Sequence, residues 1–229
     1  LLSFLAWLSS RSIKLSIGTA ISFFVIGYFG MWKDTMSTMA IISVATLICL
    51  VVGTPIGVLM ARSERLKNIL SPVLDMMQTI PTFVYLIPII MLLGIGKVPG
   101  LLAVCVYAIP PIVRLTNLGI REVDRRVVEA AKALGIKKRI ILFKIEIPLA
   151  LPSIMTGVNQ TIMMALAMVV IASMIGVSGL GVPILRSISN QFLALGLMNG
   201  LAIVALAIIF DRISQNYARR IQKHKEAKK

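Results

Sequence analysis

The sequence predicts an all-α protein, built as a multi-pass membrane helical bundle. Of its 229 residues, 58% are hydrophobic and 14% are charged, whereas soluble domains carry about 25% charged residues. The mean hydropathy is +0.92, and the apolar residues form runs long enough to cross a bilayer core about 30 Å thick. Basic residues cluster between alternate runs, which is typical of loops on one side of a membrane.

Six apolar runs are predicted as membrane spans, because about 20 apolar residues in a helix cross the hydrocarbon core. In chain order, they cover residues 15–32, 37–61, 69–93, 101–118, 149–175 and 192–210. We interpret the first run as a membrane helix rather than a signal peptide, because it lacks a small-residue cleavage site followed by a soluble composition.

The positions of the basic residues predict how these spans are oriented. The chain has 24 Lys and Arg against 9 Asp and Glu, a formal net charge of +15. The basic clusters follow the second, fourth and sixth runs, while the opposite loops carry only Lys33, Lys97 and Arg186. Because cytoplasmic loops are enriched in Lys and Arg, both ends of the chain and the segment 127–152 are predicted to face the cytoplasm.

The basic clusters also bear on other partners. Nucleic-acid binding would require aromatic interleaving or a recognition helix on a soluble domain; the sequence has neither, so we expect no nucleic-acid partner. Anionic membrane lipids are an expected partner, since Lys and Arg near the surface attract their head groups. Salt screens that attraction, so an electrostatic sensor of ionic strength is a further hypothesis.

Prolines are predicted to interrupt three of the spans. They are Pro72, Pro81 and Pro88 in the third span, Pro110 and Pro111 in the fourth, and Pro152 at the start of the fifth. A proline in a membrane helix frees backbone groups that hydrocarbon cannot satisfy. Such breaks favour a bundle in which neighbouring helices or a water-filled pathway supply the missing partners.

Small and charged residues predict particular helix contacts. Gly53 and Gly57 form a small-residue pair that allows close packing in the second span. Asp75 and Arg114 lie near the predicted cytoplasmic ends of their spans, where they could pair with each other or extend to the interface.

Seven polar side chains at predicted membrane depth are candidates for a translocation path. They are Gln78, Thr79, Thr82 and Tyr85 in the third run, and Asn159, Gln160 and Thr161 in the fifth. Polar residues at this depth mark either interhelical contacts or a substrate path. The sequence leaves both interpretations open.

The residues predict no enzyme active site and no metal or cofactor site in this chain. The histidine His224 lies in the basic tail, and Cys49 and Cys105 lie in apolar runs without the spacing of a metal or redox site. The stretch GIGKVPG, residues 94–100, lacks the glycine spacing and the hydroxyl residue of a phosphate-binding loop. We therefore expect that this chain does not itself bind ATP.

The segment 127–152 is a basic, amphipathic passage between two apolar runs. Its first part favours helix up to Leu134, and Gly135 is the expected left-handed stop. Beyond the glycine, Ile136, Ile140 and Phe143 recur at helical spacing. The pattern predicts a helix, a turn and a second short helix, whose apolar face could lie on lipid or dock on a partner protein.

This segment resembles the cytoplasmic EAA loop of binding-protein-dependent ABC importer permeases. The resemblance rests on Glu129, Ala130 and Ala131, then Gly135, Ile145 and Pro148, with Ile147 where the family has leucine. In that family, the loop forms a coupling helix that sits in a cleft of the cytosolic ATPase. The resemblance thus implies an ATPase-coupling role for Glu129, Ala130, Ala131, Gly135, Ile145 and Pro148.

The resemblance also implies a fold, partners and a substrate class. It covers about residues 37–211 and is strongest for permeases of glycine betaine, proline betaine and related osmoprotectants. It implies the type I ABC importer permease fold in a bacterial-type plasma membrane, in a pair of copies, with two ATPase subunits that carry ATP and Mg. The substrate would be recognised chiefly by an external binding protein, or by a fused binding domain beyond these residues.

On this basis, the chain is expected to divide into three parts. Residues 1–36 form an N-terminal segment with one additional span, residues 37–213 a five-span ABC transmembrane domain with its coupling loop at about 121–148, and residues 214–229 a basic cytoplasmic tail. The rival functions are an ATP-independent secondary transporter or an osmotically gated channel, favoured by the proline-broken spans, and a membrane scaffold without transport activity.

Overall fold

A computed structural model describes the backbone of residues 13–226 and the side chains of residues 17–216. Regular structure in this part of the chain is helical throughout, which confirms the all-α prediction. The helices are α1 (Ile13–Tyr28), α2 (Trp32–Arg62), α3 (Glu64–Thr79), α4 (Thr82–Leu93), α5 (Lys97–Ala108), α6 (Pro110–Arg121), α7 (Arg125–Ala133), α8 (Lys138–Ile141), α9 (Ile147–Ala172), α10 (Gly181–Asn190) and α11 (Leu193–Glu226). The predicted N-terminal segment and basic tail, including the side chain of His224, extend beyond the described residues.

Most of the predicted spans correspond to helices of membrane-spanning length. Within residues 13–226, the continuous stretches that are long and apolar enough are Trp32–Arg62, Lys97–Arg121, Lys138–Ile175 and Leu193–Asn216. The pair α3 and α4 qualifies only when the two helices are taken together. Among the residues whose side chains are described, α1 contributes the apolar stretch Ile17–Tyr28, which is shorter than the roughly 20 residues of a span, so the first of the six spans stays a prediction.

The third predicted span is not one straight helix. Helices α3 and α4 meet at an angle of 101°, and Ile80 and Pro81 between them have extended backbone, with ψ of 128° and 140°. A proline pushes the residue before it out of the helical region, which explains the bend at this position. Pro72 and Pro88 lie inside α3 and α4, so the prediction that they also break the span was wrong.

The remaining prolines interrupt the helices less than the sequence suggested. Pro110 and Pro111 open α6, where a missing N–H costs little, and Ile109 before them keeps helical dihedrals. As a result, Lys97–Arg121 behaves as one span rather than a broken one. Pro152 lies inside α9, which continues through it to Ala172.

Helix α9 forms the centre of the bundle. It packs against α2, α5, α6 and α11, and α6 in turn packs against α2. Its residues Ala165, Met168 and Ala172 are fully buried. In lipid, helices associate mainly through van der Waals packing and interhelical hydrogen bonds, so these contacts determine the arrangement of the other helices around α9.

Glycine allows the closest of these approaches. A Cβ atom on Gly53 would lie 2.5 Å from Cγ2 of Ile112, and one on Gly57 would lie 2.6 Å from both Cβ of Thr116 and the carbonyl oxygen of Val113. These distances confirm that the two glycines allow close packing of α2, here against α6. Cys49 and Cys105 are buried nearby, and the thiol of Cys49 donates to the Cys105 carbonyl at 3.4 Å.

Candidate functional site

The first arm of the predicted hairpin is α7, Arg125–Ala133. Its N-terminus is capped by the Asp124 carboxylate, which accepts a hydrogen bond from the backbone N–H of Arg126 at 2.9 Å. Its C-terminus turns at Gly135, which has a φ of 72°. The N–H of Ile136 donates to the carbonyl of Ala131 at 3.2 Å, so one of the last carbonyl groups of the helix has a hydrogen-bond partner. The helix and the left-handed stop at Gly135 are confirmed.

The second arm of the hairpin, residues 138–146, is not the separate short helix that the sequence predicted. Helix α8 leads through the π-helical turn Leu142–Glu146 directly into α9, so that Lys138–Ile175 is one helical stretch of 38 residues. Pro148 near the start of α9 explains the wide turn, because proline has no N–H to donate and its ring crowds the carbonyl four residues earlier. The hairpin is therefore continuous with the central helix of the bundle.

The residues that carry the EAA resemblance lie along both arms. Glu129, Ala130 and Gly135 are exposed, and Ala131 is buried. Ile145 in the π-helical turn and Pro148 at the start of α9 are partly buried. An exposed apolar side chain stands at the tip of the hairpin, since Leu134 has 80% of its surface exposed. The first arm and the turn thus offer a partner an accessible surface with both polar and apolar groups.

A partly buried ion pair that the sequence did not reveal connects the end of α2 to the second arm. The Glu146 side chain is 10% exposed, and its Oε2 accepts from the guanidinium of Arg62 at 2.5 Å. The same nitrogen of Arg62 lies 3.5 Å from the carbonyl oxygen of Lys138. One signal in the sequence could have pointed to this pair, namely the single carboxylate of Glu146 between Ile145 and Ile147. A carboxylate that is buried among apolar residues requires a partner.

Other arginines join helices at the same basic edge. Arg121 at the end of α6 donates to the carbonyl of Met60 at 2.8 Å and to the side chain of Asn117 at 2.9 Å, and it also pairs with Glu64. These contacts join the end of α2, the start of α3 and the end of α6. Arg114 and Asp75 form an ion pair. Of the two alternatives that the sequence left open, pairing with each other or extending to the interface, the structure shows the pairing.

The candidate path residues of α3 and α4 differ in their surroundings. Gln78 and Thr79 are exposed, and the Thr79 hydroxyl donates to the carbonyl of its own helix at Met76. Thr82 is partly buried, whereas Tyr85 is buried and donates to the carbonyl of Met77 across the bend. The rings of Tyr85 and Tyr107 pack edge to face, with centroids 6.1 Å apart.

The candidate path residues of α9 separate into three environments. Asn159 donates to the Asp211 carboxylate at 2.8 Å and accepts from the Ser214 hydroxyl at 2.6 Å, which joins α9 to α11. Gln160 is exposed, and Thr161 is fully buried. Of the two interpretations that the sequence left open, Asn159 has the geometry of an interhelical contact.

The fold defines the class of protein. The chain superposes on the crystal structures titled "Inward facing conformations of the MetNI methionine ABC transporter", with a TM-score of 0.74 for the native crystal form. The match covers 83% of this chain and 95% of that chain at 20% identity. The apolar bundle, with a hairpin continuous with its central helix, therefore has the multi-pass fold of the type I ABC importer permeases.

The chain belongs to the family described as "Binding-protein-dependent transport system inner membrane component", which matches residues 53–223. Its relatives include the glycine betaine/proline betaine transport system permease proteins ProW of Salmonella typhimurium strain LT2 and Escherichia coli strain K12, at 49% and 48% identity over 96% and 94% of this chain. The glycine betaine transport system permease protein OpuAB of Bacillus subtilis strain 168 is 43% identical over 92% of this chain and 74% of its own length. The chain spans 62% and 60% of the length of the two ProW proteins.

Proposed function

We propose that this chain is the membrane-spanning permease subunit of an ATP-driven importer of glycine betaine or a related quaternary ammonium solute. The observation that carries the proposal is the identity of 48–49% to the two ProW proteins, over at least 94% of this chain. In such a protein, residues 37–213 would form the ABC transmembrane domain, preceded by an additional span within residues 1–36 and followed by a basic cytoplasmic tail, 214–229.

The hairpin is the proposed docking site for a cytosolic ABC ATPase. The exposure of Glu129, Ala130 and Gly135, together with the exposed Leu134 at the tip, supports this role, because a docking surface must be accessible. Ile145 and Pro148 would act where the hairpin passes into α9. ATP and Mg would be held by the ATPase, since the stretch 94–100 of this chain lacks the phosphate-loop pattern.

The geometry supports a direct mechanical route from the ATPase to the membrane. Because Lys138–Ile175 is one helical stretch of 38 residues, about 57 Å at 1.5 Å per residue, movement of the docked hairpin would move the centre of the bundle. ATP binding would close the ATPase dimer and favour one access state of the spans, and hydrolysis would restore the other. An ATPase can shift this equilibrium only by binding the two states unequally.

The complete transporter would contain further partners. Two permease copies would present two hairpins to two ATPase subunits, as expected of a symmetric pair. An external binding protein, or a fused binding domain beyond these residues, would deliver the substrate. Both ends of the described segment would face the cytoplasm, where the basic clusters would contact anionic lipid head groups.

Uptake by reconstituted vesicles tests the function. The permease, the ATPase and the binding protein would be assembled in vesicles and supplied with labelled glycine betaine, with and without internal ATP. We expect accumulation only when ATP and the binding protein are both present. Equal accumulation without ATP would contradict the proposal and support a secondary transporter or a channel.

The variant Gly135→Val tests the coupling role of the hairpin. Valine disfavours a φ of 72°, at a cost of about 1–2 kcal/mol, so we expect the turn to distort and ATP-driven uptake to fall. Gly30→Val is the matched control, since Gly30 also has a φ of 72° and open space around it but lies outside the hairpin. Normal uptake by Gly135→Val, or equal losses in both variants, would contradict the role.

A further inference from the structure

The end of α2 and the second arm of the hairpin are joined by the ion pair of Arg62 and Glu146. The distance between the guanidinium nitrogen and Oε2 is 2.5 Å, and the Glu146 side chain is 10% exposed. The Arg62 side chain is 35% exposed, so the pair is partly buried, and partly buried pairs are screened less by salt than fully exposed ones. Arg62 therefore holds a defined geometry with the hairpin rather than a loose surface contact.

Arg62 contacts the second arm at two positions along its length. Its guanidinium contacts the carboxylate of Glu146, at the end of the π-helical turn, and approaches the carbonyl of Lys138, at the start of α8. The contacts therefore bracket the π-helical turn, where the regular ladder of helix hydrogen bonds is altered. A bend in the arm at this turn would change the distance between these two contact points.

The last turn of α2 is also the point where α6 is attached. Two residues before Arg62, the carbonyl of Met60 accepts a hydrogen bond from Arg121 of α6. The close packing of α2 on α6 around Gly57 continues this connection along the helices. The hairpin is thus connected to the bundle by two routes, along its own chain into α9 and across the Arg62–Glu146 pair into α2 and α6.

We propose that Arg62 and Glu146 are a positioning pair that transmits movement of the hairpin to α2. With the pair intact, the hairpin, α9 and the end of α2 move together when the ATPase moves the hairpin. Without it, the second arm bends at the π-helical turn, and α2 no longer follows. This inference rests on the proposed function, because it assigns a part in ATPase coupling to two residues that the EAA pattern does not specify.

The test compares Glu146→Gln with the double exchange Arg62→Glu/Glu146→Arg in the complete reconstituted transporter. Three quantities are measured: copurification of the ATPase, the rate of ATP hydrolysis, and the number of solute molecules imported per ATP hydrolysed. We expect Glu146→Gln to retain the ATPase and to hydrolyse ATP, but to import about ten-fold less solute per ATP, within the usual range of coupling free energies. The double exchange should recover most of that loss by restoring an ion pair.

Asp75→Asn is the matched control, because it removes the carboxylate of an ion pair, with Arg114, that is 62% exposed and lies outside this route. It should leave import per ATP unchanged. The proposal is overturned if Glu146→Gln imports as much solute per ATP as the wild type, or if uptake and hydrolysis fall together and the double exchange restores neither. A wild type without ATP-driven uptake would instead refute the function itself, and the positioning role with it.

Discussion

The close packing of α2 on α6 predicts a measurable effect of a single added methyl group at Gly57. In the variant Gly57→Ala, the new Cβ would lie 2.6 Å from the Cβ of Thr116 and 2.6 Å from the carbonyl oxygen of Val113. Carbon atoms pack comfortably at about 3.5 Å, so the helices must separate by about 0.9 Å. The Val113 oxygen belongs to the backbone and cannot turn aside.

The expected cost follows from overpacking a well-packed interface. Inserting a methyl group into such a core costs about 1–3 kcal/mol, partly offset because alanine favours helix over glycine by about 1 kcal/mol. Gly200→Ala on α11 separates the two effects, since no atom lies within 4 Å of its added Cβ. The control gains the helix preference without the clash, so the difference between the variants measures overpacking.

The two cysteines provide the assay. Cys49 on α2 and Cys105 on α5 are both buried, so a thiol-reactive fluorescent probe labels the protein only when this part of the core opens. In detergent, we expect Gly57→Ala to be labelled about 5- to 150-fold faster than Gly200→Ala, which corresponds to the 1–3 kcal/mol difference. Equal labelling rates in the two variants would refute the argument that this glycine is required by helix contact.

Two further predictions concern buried hydrogen bonds. Asn159→Leu removes both the donor to Asp211 and the acceptor of the Ser214 hydroxyl, so the free energy of unfolding should fall by about 1–3 kcal/mol. Gln160→Leu, at the exposed neighbouring position, is the control. Equal thiol-labelling rates in the two variants would contradict the assignment of Asn159 as an interhelical contact. Thr38→Val removes the hydroxyl that accepts from the N–H of Leu180 at 2.9 Å, which should speed hydrogen exchange at that amide, whereas Thr38→Ser should not. Unchanged hydrogen exchange at the Leu180 amide in Thr38→Val would show that this bond does not hold the loop that precedes α10.

Local chemistry allowed part of the hairpin to be predicted correctly. Gly135 tolerates a left-handed backbone that side chains disfavour, and its φ of 72° confirms the stop after α7. The helix beyond it was predicted from the spacing of its apolar residues to be short and separate, and Pro152 was predicted to interrupt the start of the fifth span. In the structure, the helix continues through both Pro148 and Pro152. The π-helical turn before Pro148 makes room for its ring, and at Pro152 the helix is held by the packing of α9 on the neighbouring helices.

The candidate site was harder to predict because its polar contacts join distant parts of the chain. Arg62 was assigned to a cytoplasmic basic cluster, and its partner Glu146 lies 84 residues away. Asn159 was one of seven candidate path residues, and its contacts with Asp211 and Ser214 depend on where α11 lies. Residue type and helical spacing identify a polar group at membrane depth, but they do not identify its partner.

The sequence by itself determined the membrane class, the positions of the apolar helices, the expected side of the basic loops and the turn at Gly135. These properties depend on composition and on neighbouring residues, through hydrocarbon thickness, charge placement and backbone preference. Only the tertiary structure decided that α3 and α4 bend by 101°, that the hairpin is continuous with α9, and that Arg62 binds Glu146. Pro81 locates the bend, but the continuity of the hairpin with α9 and the pairing of Arg62 with Glu146 depend on which helices pack together, and therefore on contacts between residues far apart in the chain.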